Sequence, residues 1–221
     1  MACMVMRAVV GSGDGEQLHE KISIAWVGGV TIRGMGSALA HPKMTVEEYL
    51  AYDRAAEFRN EYHDGEIFPI EGASMRHARI SLNLAFEFDS RLKTTSCCVT
   101  QAIRVRVNQR KYLYPDLLVY CGNPQLTDEA EDTITNPKVI VEILSPSTAD
   151  YDFGTKFRLY QALDSFEEYV LVSQDQPRVE VSHRTPAGSW LNTAYLGLNA
   201  VCPLESLGIE LLLSDIYSRL P

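Results

Sequence analysis

The chain has 221 residues, of which 46% are hydrophobic and 22% are charged, and its formal net charge is −9. This length and composition are typical of one globular domain, and no apolar run approaches the ~20 residues of a transmembrane helix. The negative charge argues mildly against a nucleic-acid binder, because such proteins usually present a basic face to phosphate.

A local basic patch can offset this average charge, and several residues are candidates for one. They are Arg104, Arg106, Arg110 and Lys111, with Arg76, Arg79 and Arg91 as further members. The interpretation that we favour is simpler, namely that these side chains lie on solvated faces of strands and helices.

The five cysteines are odd in number and lack the Cys-x-x-Cys spacing of a zinc site. Adjacent Cys97 and Cys98 do not suit an ordinary disulfide framework either. We therefore expect a reducing, cytoplasmic location.

Residues 1–43 are rich in glycine and show no sustained hydrophobic period. Their first ten residues lack the basic start and continuous apolar segment of a signal peptide. We predict that residues 1–43 form a poorly structured extension and that residues 44–221 form one domain.

The predicted elements begin at Thr45, which forms a capping-box pattern with Glu48 and starts a short helix that ends near Tyr52. Residues 61–70 predict a hairpin with Asp64-Gly65 as its turn. Residues 76–92 predict a helix whose apolar face repeats every four residues. That face comprises Ile80, Leu84, Phe88 and Leu92.

Three strands are predicted next, at 99–107, 114–121 and 139–144, and the segment 122–137 is expected to be a surface loop. The last two strands are more uniformly apolar than the first, as expected for strands that are covered on both faces. A helix over 153–163 follows, and Asp150 and Asp152 are expected to be structural residues at its start. A strand at 169–173, a strand pair at 178–183 and 190–195, and a helix over 213–220 complete the chain. This order predicts an α/β (α+β) domain with a mixed sheet and a helix on each face.

Two acidic residues accompany the apolar strands. Glu142 lies inside the run from Val139 to Leu144, and Asp116 follows Pro115 at the start of the preceding strand. Buried carboxylates on neighbouring strands are costly unless they are compensated, and Mg²⁺ prefers carboxylate oxygens, a backbone carbonyl and waters. We therefore predict that Asp116 and Glu142 bind a metal ion. The alternative is a paired core glutamate and an ordinary aspartate at a strand start.

Lys156 is the third candidate, because it shares one stripe of the predicted helix with Tyr160 and Leu163. A lysine on the side of a helix that faces a sheet is unusual. Its ammonium group can orient an attacking water or stabilise the transition state of phosphodiester hydrolysis. The alternative is a surface lysine whose stem covers apolar residues.

Together, these motifs resemble the Uma-type family of proposed endonucleases over about residues 44–220. The matching motifs are Pro115-Asp116, Glu142 within Val-Glu-Ile-Leu-Ser-Pro-Ser, and Lys156-Phe157-x-x-Tyr160. The family belongs to the PD-(D/E)xK restriction-endonuclease-like superfamily. The resemblance therefore implies a restriction-endonuclease-like mixed β-sheet core flanked by helices, with an N-terminal hairpin extension.

The superfamily usually has a lysine two residues after the glutamate, where this chain has Leu144. The resemblance implies that Lys156 takes this role from the following helix. It also adds Glu61 and His77 to the candidate catalytic residues, as an acid beside the metal and as a metal ligand or proton relay. We slightly favour structural alternatives, in which Glu61 orders the hairpin and His77 caps or packs as a neutral histidine.

The predicted function is a Mg²⁺- or Mn²⁺-dependent DNA endonuclease, and a homodimer is expected because enzymes that cut both strands often pair by symmetry. The first alternative is a non-catalytic module of the same fold that binds DNA or protein, favoured by the acidic charge and the displaced lysine. A two-carboxylate glycosidase ranks last, because Trp26 and Trp190 are isolated and form no surface for stacking a sugar.

Overall fold

The computed structural model of this chain describes residues 43–70, 72–145 and 148–221. The extension predicted over residues 1–43 lies outside them, except for Lys43. The predicted domain boundary therefore stays a prediction.

The helices and strands are spread along the whole described chain. The α-helices are α1 (Val46–Ala55), α2 (Met75–Leu92), α3 (Phe157–Tyr160) and α4 (Leu213–Ile216), and a π-helical turn (Tyr151–Lys156) leads into α3. The first strands are β1 (Asn60–His63), β2 (Glu66–Pro69), β3 (Cys97–Gln101), β4 (Arg104–Asn108), β5 (Lys111–Leu113), β6 (Leu117–Cys121) and β7 (Thr133–Ile134). The remaining strands are β8 (Val139–Leu144), β9 (Glu168–Ser173), β10 (Arg178–Arg184), β11 (Trp190–Leu196), β12 (Val201–Leu204) and β13 (Ile209–Leu212).

In the described residues, the strands form a six-stranded sheet, a five-stranded sheet and a separate hairpin of β12 and β13. The six-stranded sheet has the order β11-β10-β9-β8-β6-β3, and its strands are antiparallel except for the parallel pair β8–β9. The five-stranded sheet has the order β2-β1-β5-β4-β7. The predicted mixed α/β fold is confirmed.

Apart from Glu142, strand β8 is apolar on both faces, because both of its faces are covered. Val141 and Ile143 pack with the apolar face of α2, whereas Ile140 packs with Tyr160 of α3. Side chains alternate along a strand, so Glu142 lies on the same face as Ile140. The parallel pair β8–β9 needs a crossover connection, and the crossover carries the π-helical turn and α3 over this face.

The capping box and the first hairpin are confirmed. Thr45 Oγ1 accepts a hydrogen bond from the backbone N–H of Glu48 at 3.2 Å, and Glu48 Oε2 accepts from the N–H of Thr45 at 2.8 Å. Helix α1 continues beyond the predicted end to Ala55. The hairpin turn has φ values of 51° at Asp64 and 100° at Gly65, as favoured by tight β-hairpins. β1 also pairs with β5, which fixes the strand that carries Glu61.

The predicted strand over 99–107 is wrong, because the structure divides it between β3 and β4 in different sheets. Ala102 breaks the strand with φ 69°. Non-glycine residues rarely adopt a positive φ. An alanine within an alternating pattern therefore did not indicate that the strand ends there. The strand predicted over 114–121 is shorter, since β6 begins at Leu117.

Four further segments differ from prediction. The segment 122–137 contains β7, whose residues Thr133 and Ile134 are fully buried. The helix predicted over 153–163 is a π-helical turn followed by α3, and the helix predicted over 213–220 ends as α-helix at Ile216. The hairpin of β12 and β13 was not predicted.

The candidate basic patch is divided among ion pairs. Arg104 is only 2% exposed and its guanidinium lies 3.0 Å from Asp53, so the interpretation as a solvated residue is wrong for this position. Arg110 and Lys111 pair with Asp64 at 3.1 and 2.6 Å. These residues therefore stabilise the five-stranded sheet and its hairpin.

The disulfide expectation also needs correction. Cys97 and Cys121 are cross-strand neighbours in β3 and β6, and they form a disulfide bond. The two residues are 24 positions apart without a recognised motif, so the pairing emerges only from the strand register. No helix in the described ranges is long and apolar enough to cross a membrane. The cytoplasmic location stays a prediction.

Candidate active site

Two carboxylates meet where β6 begins and β8 ends. Leu117 of β6 pairs with Val141 of β8, so continuing this register by one residue places Asp116 opposite Glu142. The backbone N–H of Ile143 donates to Asp116 Oδ2 at 2.7 Å, and that of Asp116 is 3.4 Å from Glu142 Oε2. Directly opposed residues place their side chains on the same face of a sheet. Strand pairing thus holds both predicted metal ligands side by side.

Lys156 ends the π-helical turn and points its ammonium group at Glu142. Lys156 Nζ lies 3.0 Å from Glu142 Oε1, 3.2 Å from Glu61 Oε1 and 3.2 Å from the carbonyl oxygen of Tyr114. The side chain is 9% exposed, so the alternative of a surface lysine is wrong. These three acceptors match the three N–H donors of the ammonium group, and the contacts fix its position.

Glu61 reaches the same ammonium group from the other sheet. Its Oε1 accepts from the backbone N–H of Tyr114 at 3.2 Å, and its Oε2 accepts from the Tyr151 hydroxyl at 2.8 Å. The Tyr151 hydroxyl is also 2.9 Å from His63 Nε2. Glu61 is therefore a buried acid that links the hairpin to the crossover, a structural role that is compatible with a place beside a metal.

His77 approaches Asp116 from the first turn of α2. Ser74 Oγ caps this helix by accepting a hydrogen bond from the backbone N–H of His77 at 3.0 Å. The cap fixes the position of the His77 backbone, from which the imidazole extends. His77 Nε2 lies 3.2 Å from Asp116 Oδ2. Its Nδ1 atom is buried and has no hydrogen-bond partner among the described residues. All five candidate residues therefore belong to one cluster, with His77 at the Asp116 end.

Sequence reasoning missed the role of Asp152. The prediction made it a structural residue at a helix start, but it lies inside the π-helical turn and is 3% exposed. Asp152 Oδ1 is 3.6 Å from Lys156 Nζ. The spacing of four residues between the two was the available signal. Tyr160 also contacts the site, since its hydroxyl donates to Glu142 Oε1 at 3.3 Å.

Most of the ionisable groups around Lys156 are carboxylates. Burial raises the pKa of Glu142 well above its usual range, Lys156 opposes this shift, and Asp152 and Asp116 add to it. Burial also raises the pKa of Asp152. Burial opposes ionisation of Lys156, but Glu142, Glu61 and Asp152 together raise its pKa well above its usual value. The lysine is therefore charged, and Glu142 keeps unfavourable negative neighbours.

Glu61 behaves differently from Glu142. Burial opposes its ionisation, but attraction to Lys156 and hydrogen bonds from His63, Tyr114 and Tyr151 lower its pKa. Two glutamates that share one lysine are thus pushed in opposite directions. Such divergence is common at functional sites.

The donor chemistry of Asp116 and Glu142 fits a hard cation that keeps several waters. Mg²⁺ is commonly bound by one or two carboxylates rather than by an all-protein cage. The described ranges contain no group of three or more His, Cys, Asp or Glu side chains arranged for a metal ion. The Asp116 side chain is 27% exposed, so an ion has access from solvent. A cation there would also relieve the repulsion between the two carboxylates.

The fold is that of a restriction-endonuclease-like protein. The chain belongs to the Uma2 family, described as "Putative restriction endonuclease", whose model matches residues 46–214.

The chain is also similar to individual proteins and to a solved structure. The chain is similar to two uncharacterized proteins of Synechocystis sp. (strain ATCC 27184 / PCC 6803 / Kazusa). One is 34% identical over 81% of this chain and 94% of the relative, and the other is 33% identical over 71% and 90%. The crystal structure of "a putative nuclease belonging to DUF820" from Anabaena variabilis ATCC 29413 is similar to this chain, with a TM-score of 0.65 at 19% identity. It covers 79% of this chain and 98% of that chain, which shows a shared fold.

The raised pKa of Glu142 predicts that this residue lowers stability in the metal-free protein. We expect Glu142→Gln to increase the free energy of unfolding by about 1 kcal/mol at pH 8 in a chelator. A carboxyl group whose pKa is raised by folding holds its proton more tightly in the folded state, so stability falls as pH rises through that window. The gain should therefore disappear below about pH 4, where the carboxyl is protonated in both states.

Urea unfolding at the two pH values measures this effect. Glu129→Gln is the matched control, because it makes the same change at an exposed loop position and should leave stability unchanged. A Glu142→Gln protein that is clearly less stable than wild type at pH 8 would contradict the electrostatic account.

Proposed function

We propose that this protein is a Mg²⁺- or Mn²⁺-dependent endonuclease that hydrolyses phosphodiester bonds in DNA. The observation that carries the proposal is that Asp116 Oδ2 accepts from the backbone N–H of Ile143, the residue after Glu142, at 2.7 Å, with the ammonium group of Lys156 3.0 Å from Glu142. Family membership and the shared fold support nuclease chemistry.

Asp116 and Glu142 are the residues that would hold the metal ion. When bound, a divalent ion lowers the pKa of a coordinated water and offsets negative charge on the phosphate. Lys156 orients Glu142 and opposes the rise in its pKa that burial causes. Glu61 holds Lys156 in place through the 3.2 Å contact with its Nζ.

We assign His77 a positioning role for Asp116 rather than direct metal binding. Its Nε2 is already engaged with Asp116 Oδ2 at 3.2 Å. Asp116 Oδ2 also accepts from the backbone N–H of Ile143, so Asp116 Oδ1 is left for the ion. A histidine that donates to a metal-binding carboxylate fixes the orientation of that ligand.

Incubation of the purified protein with supercoiled plasmid tests the proposed activity. Relaxed and linear products are expected with Mg²⁺ or Mn²⁺, and none with a chelator. A parallel incubation with single-stranded DNA and RNA establishes the substrate class. Intact nucleic acid in every metal-containing reaction, with protein that is folded by circular dichroism, would refute the proposal.

A non-catalytic binding module of the same fold is the second candidate. The observation that favours it is the complete engagement of Lys156 by Glu142, Glu61 and Tyr114, which leaves its ammonium group no donor for a phosphate. Calorimetric titration with Mg²⁺ separates the candidates. Saturable DNA binding by the wild-type protein without any Mg²⁺ uptake would favour the binding module, whereas Mg²⁺ uptake that Glu142→Gln abolishes favours the enzyme.

A further inference from the structure

Helix α2 presents an apolar stripe on the side that faces away from the sheet. Its buried face comprises Ile80, Leu84 and Phe88, all fully buried. On the opposite side, Met75 is 76% exposed, Leu82 is 57% exposed and Phe86 is 68% exposed. Single exposed apolar residues are common, whereas these three lie on one line of the helix.

The spacing of this surface is that of a helix-pairing seam. The positions alternately four and three residues apart from Met75 onward hold three apolar and three charged residues: Met75, Arg79, Leu82, Phe86, Asp89 and Lys93. Alternate four- and three-residue steps keep one narrow line of a helix facing a second helix. We call these six residues the α2 seam. At 1.5 Å per residue it extends about 27 Å.

The order of side chains in the α2 seam makes it complementary to itself. Arg79, Leu82, Phe86 and Asp89 follow one another as basic, apolar, apolar and acidic. A second helix running in the opposite direction presents acidic, apolar, apolar and basic. Arg79 is half-buried, and its Nε is buried without a hydrogen-bond partner among the described residues.

We infer that the α2 seam docks a second copy of this chain, with the two α2 helices antiparallel across a two-fold axis. Each Arg79 then faces Asp89 of the other copy, and each Leu82 faces Phe86 of the other copy. The same surface is used twice, as in an isologous dimer. An antiparallel partner helix must present an acidic, two apolar and a basic residue in that order. The α2 seam of a second copy of this chain meets this requirement. The inference does not depend on the proposed nuclease activity.

This pairing has a consequence for the arrangement of the candidate active sites. His77 lies two residues after Met75 on the same helix and contacts Asp116 at 3.2 Å. Joining two α2 helices therefore fixes the separation of the two sites within the dimer. Two sites at a fixed separation suit a substrate with two strands.

Sedimentation velocity of the full-length protein over a wide concentration range tests the surface. A reversible dimer is expected, and Leu82→Asp should raise its dissociation constant by about a hundredfold, because it places a charge at the centre of the contact. Leu191→Asp is the matched control. It makes the same change at a residue of similar exposure, 60% against 57%, on β11, and should leave the dimer intact.

Charge reversal tests the antiparallel arrangement itself. Arg79→Asp and Asp89→Arg should each weaken the dimer by about tenfold, since each replaces two attractive pairs by two repulsive ones. An equimolar mixture of the two variants should form a heterodimer, and the variant with both changes should dimerise like wild type. Circular dichroism establishes that each variant is folded.

Three results would overturn the inference. They are a wild-type protein that is monomeric at all concentrations, a dimer that Leu82→Asp does not weaken, and a mixture of the charge variants that stays monomeric.

Discussion

Asp116→Asn is expected to reduce Mg²⁺-dependent cleavage of plasmid DNA by about a hundredfold or more, because it removes the charge of one of two proposed metal ligands. The change should leave the fold intact. The backbone N–H of Ile143 donates to Asp116 Oδ2 at 2.7 Å, and the amide oxygen of an asparagine can accept the same hydrogen bond. Initial cleavage rates at several Mg²⁺ concentrations provide the measurement.

Asp164→Asn serves as the matched control for this prediction, because it makes the same substitution at an exposed position after α3. Its cleavage rate should equal that of wild type. If Asp116→Asn cleaves as fast as wild type at limiting Mg²⁺, either the activity comes from another protein or the site lies elsewhere.

Lys156→Met is expected to cause the largest loss of stability, about 3–5 kcal/mol at pH 8. The substitution keeps the apolar stem but leaves Glu142, Glu61 and Asp152 buried without their common cation. An unpaired buried charge costs more than the pair contributes, which explains the size of the effect. Urea denaturation at equilibrium gives the free energy of unfolding.

The pH dependence of this loss has a defined sign. Without Lys156, the pKa of Glu142 rises further, since Lys156 is the neighbour that lowers it. As pH falls through that pKa, the carboxyl takes up a proton and the penalty shrinks. The difference between Lys156→Met and wild type should therefore be smaller at pH 5 than at pH 8. Adding Glu142→Gln to Lys156→Met should recover part of the stability.

Lys138→Met is the control for removing a paired lysine at the surface. Lys138 Nζ lies 2.6 Å from Glu167 Oε1, and this pair is partly exposed. Exposed ion pairs contribute little, so the expected loss is about 1 kcal/mol or less. If the two lysine variants lose equal stability, Lys156 is not the common cation of a buried acidic cluster.

The sequence was most informative where local patterns and tertiary contacts agree. Thr45 and Glu48 cap a helix through contacts three residues apart, and Asp64-Gly65 forms a turn within four residues. The buried face of α2 repeats every four residues. In each case the residues that determine the structure are close in the chain, so a pattern suffices to predict it.

The sequence was least informative where contacts between residues far apart in the chain determine the structure. Ala102 separates two strands without a glycine or proline signal, and Cys97 meets Cys121 only through strand pairing. Arg104 is buried because Asp53, from α1, lies 3.0 Å away. No local pattern contains these partners.

Most residues of the candidate site were predicted from the sequence, but the contacts between them were not. The two carboxylates stood out because they accompany apolar strands, and Glu61 and His77 came from the family resemblance. Asp152 was missed because an aspartate near a helix start has a common structural explanation. Its contact with Lys156 depends on a π-helical turn, which an α-helical period does not predict.

The most direct test of the account is a crystal of this protein soaked in Mn²⁺ and measured for anomalous scattering. We predict one strong peak between the carboxylates of Asp116 and Glu142, at about 2.0–2.3 Å from an oxygen of each. A peak elsewhere in the chain, or ordered carboxylates with no peak between them at saturating Mn²⁺, would contradict the proposed metal site and the activity that depends on it.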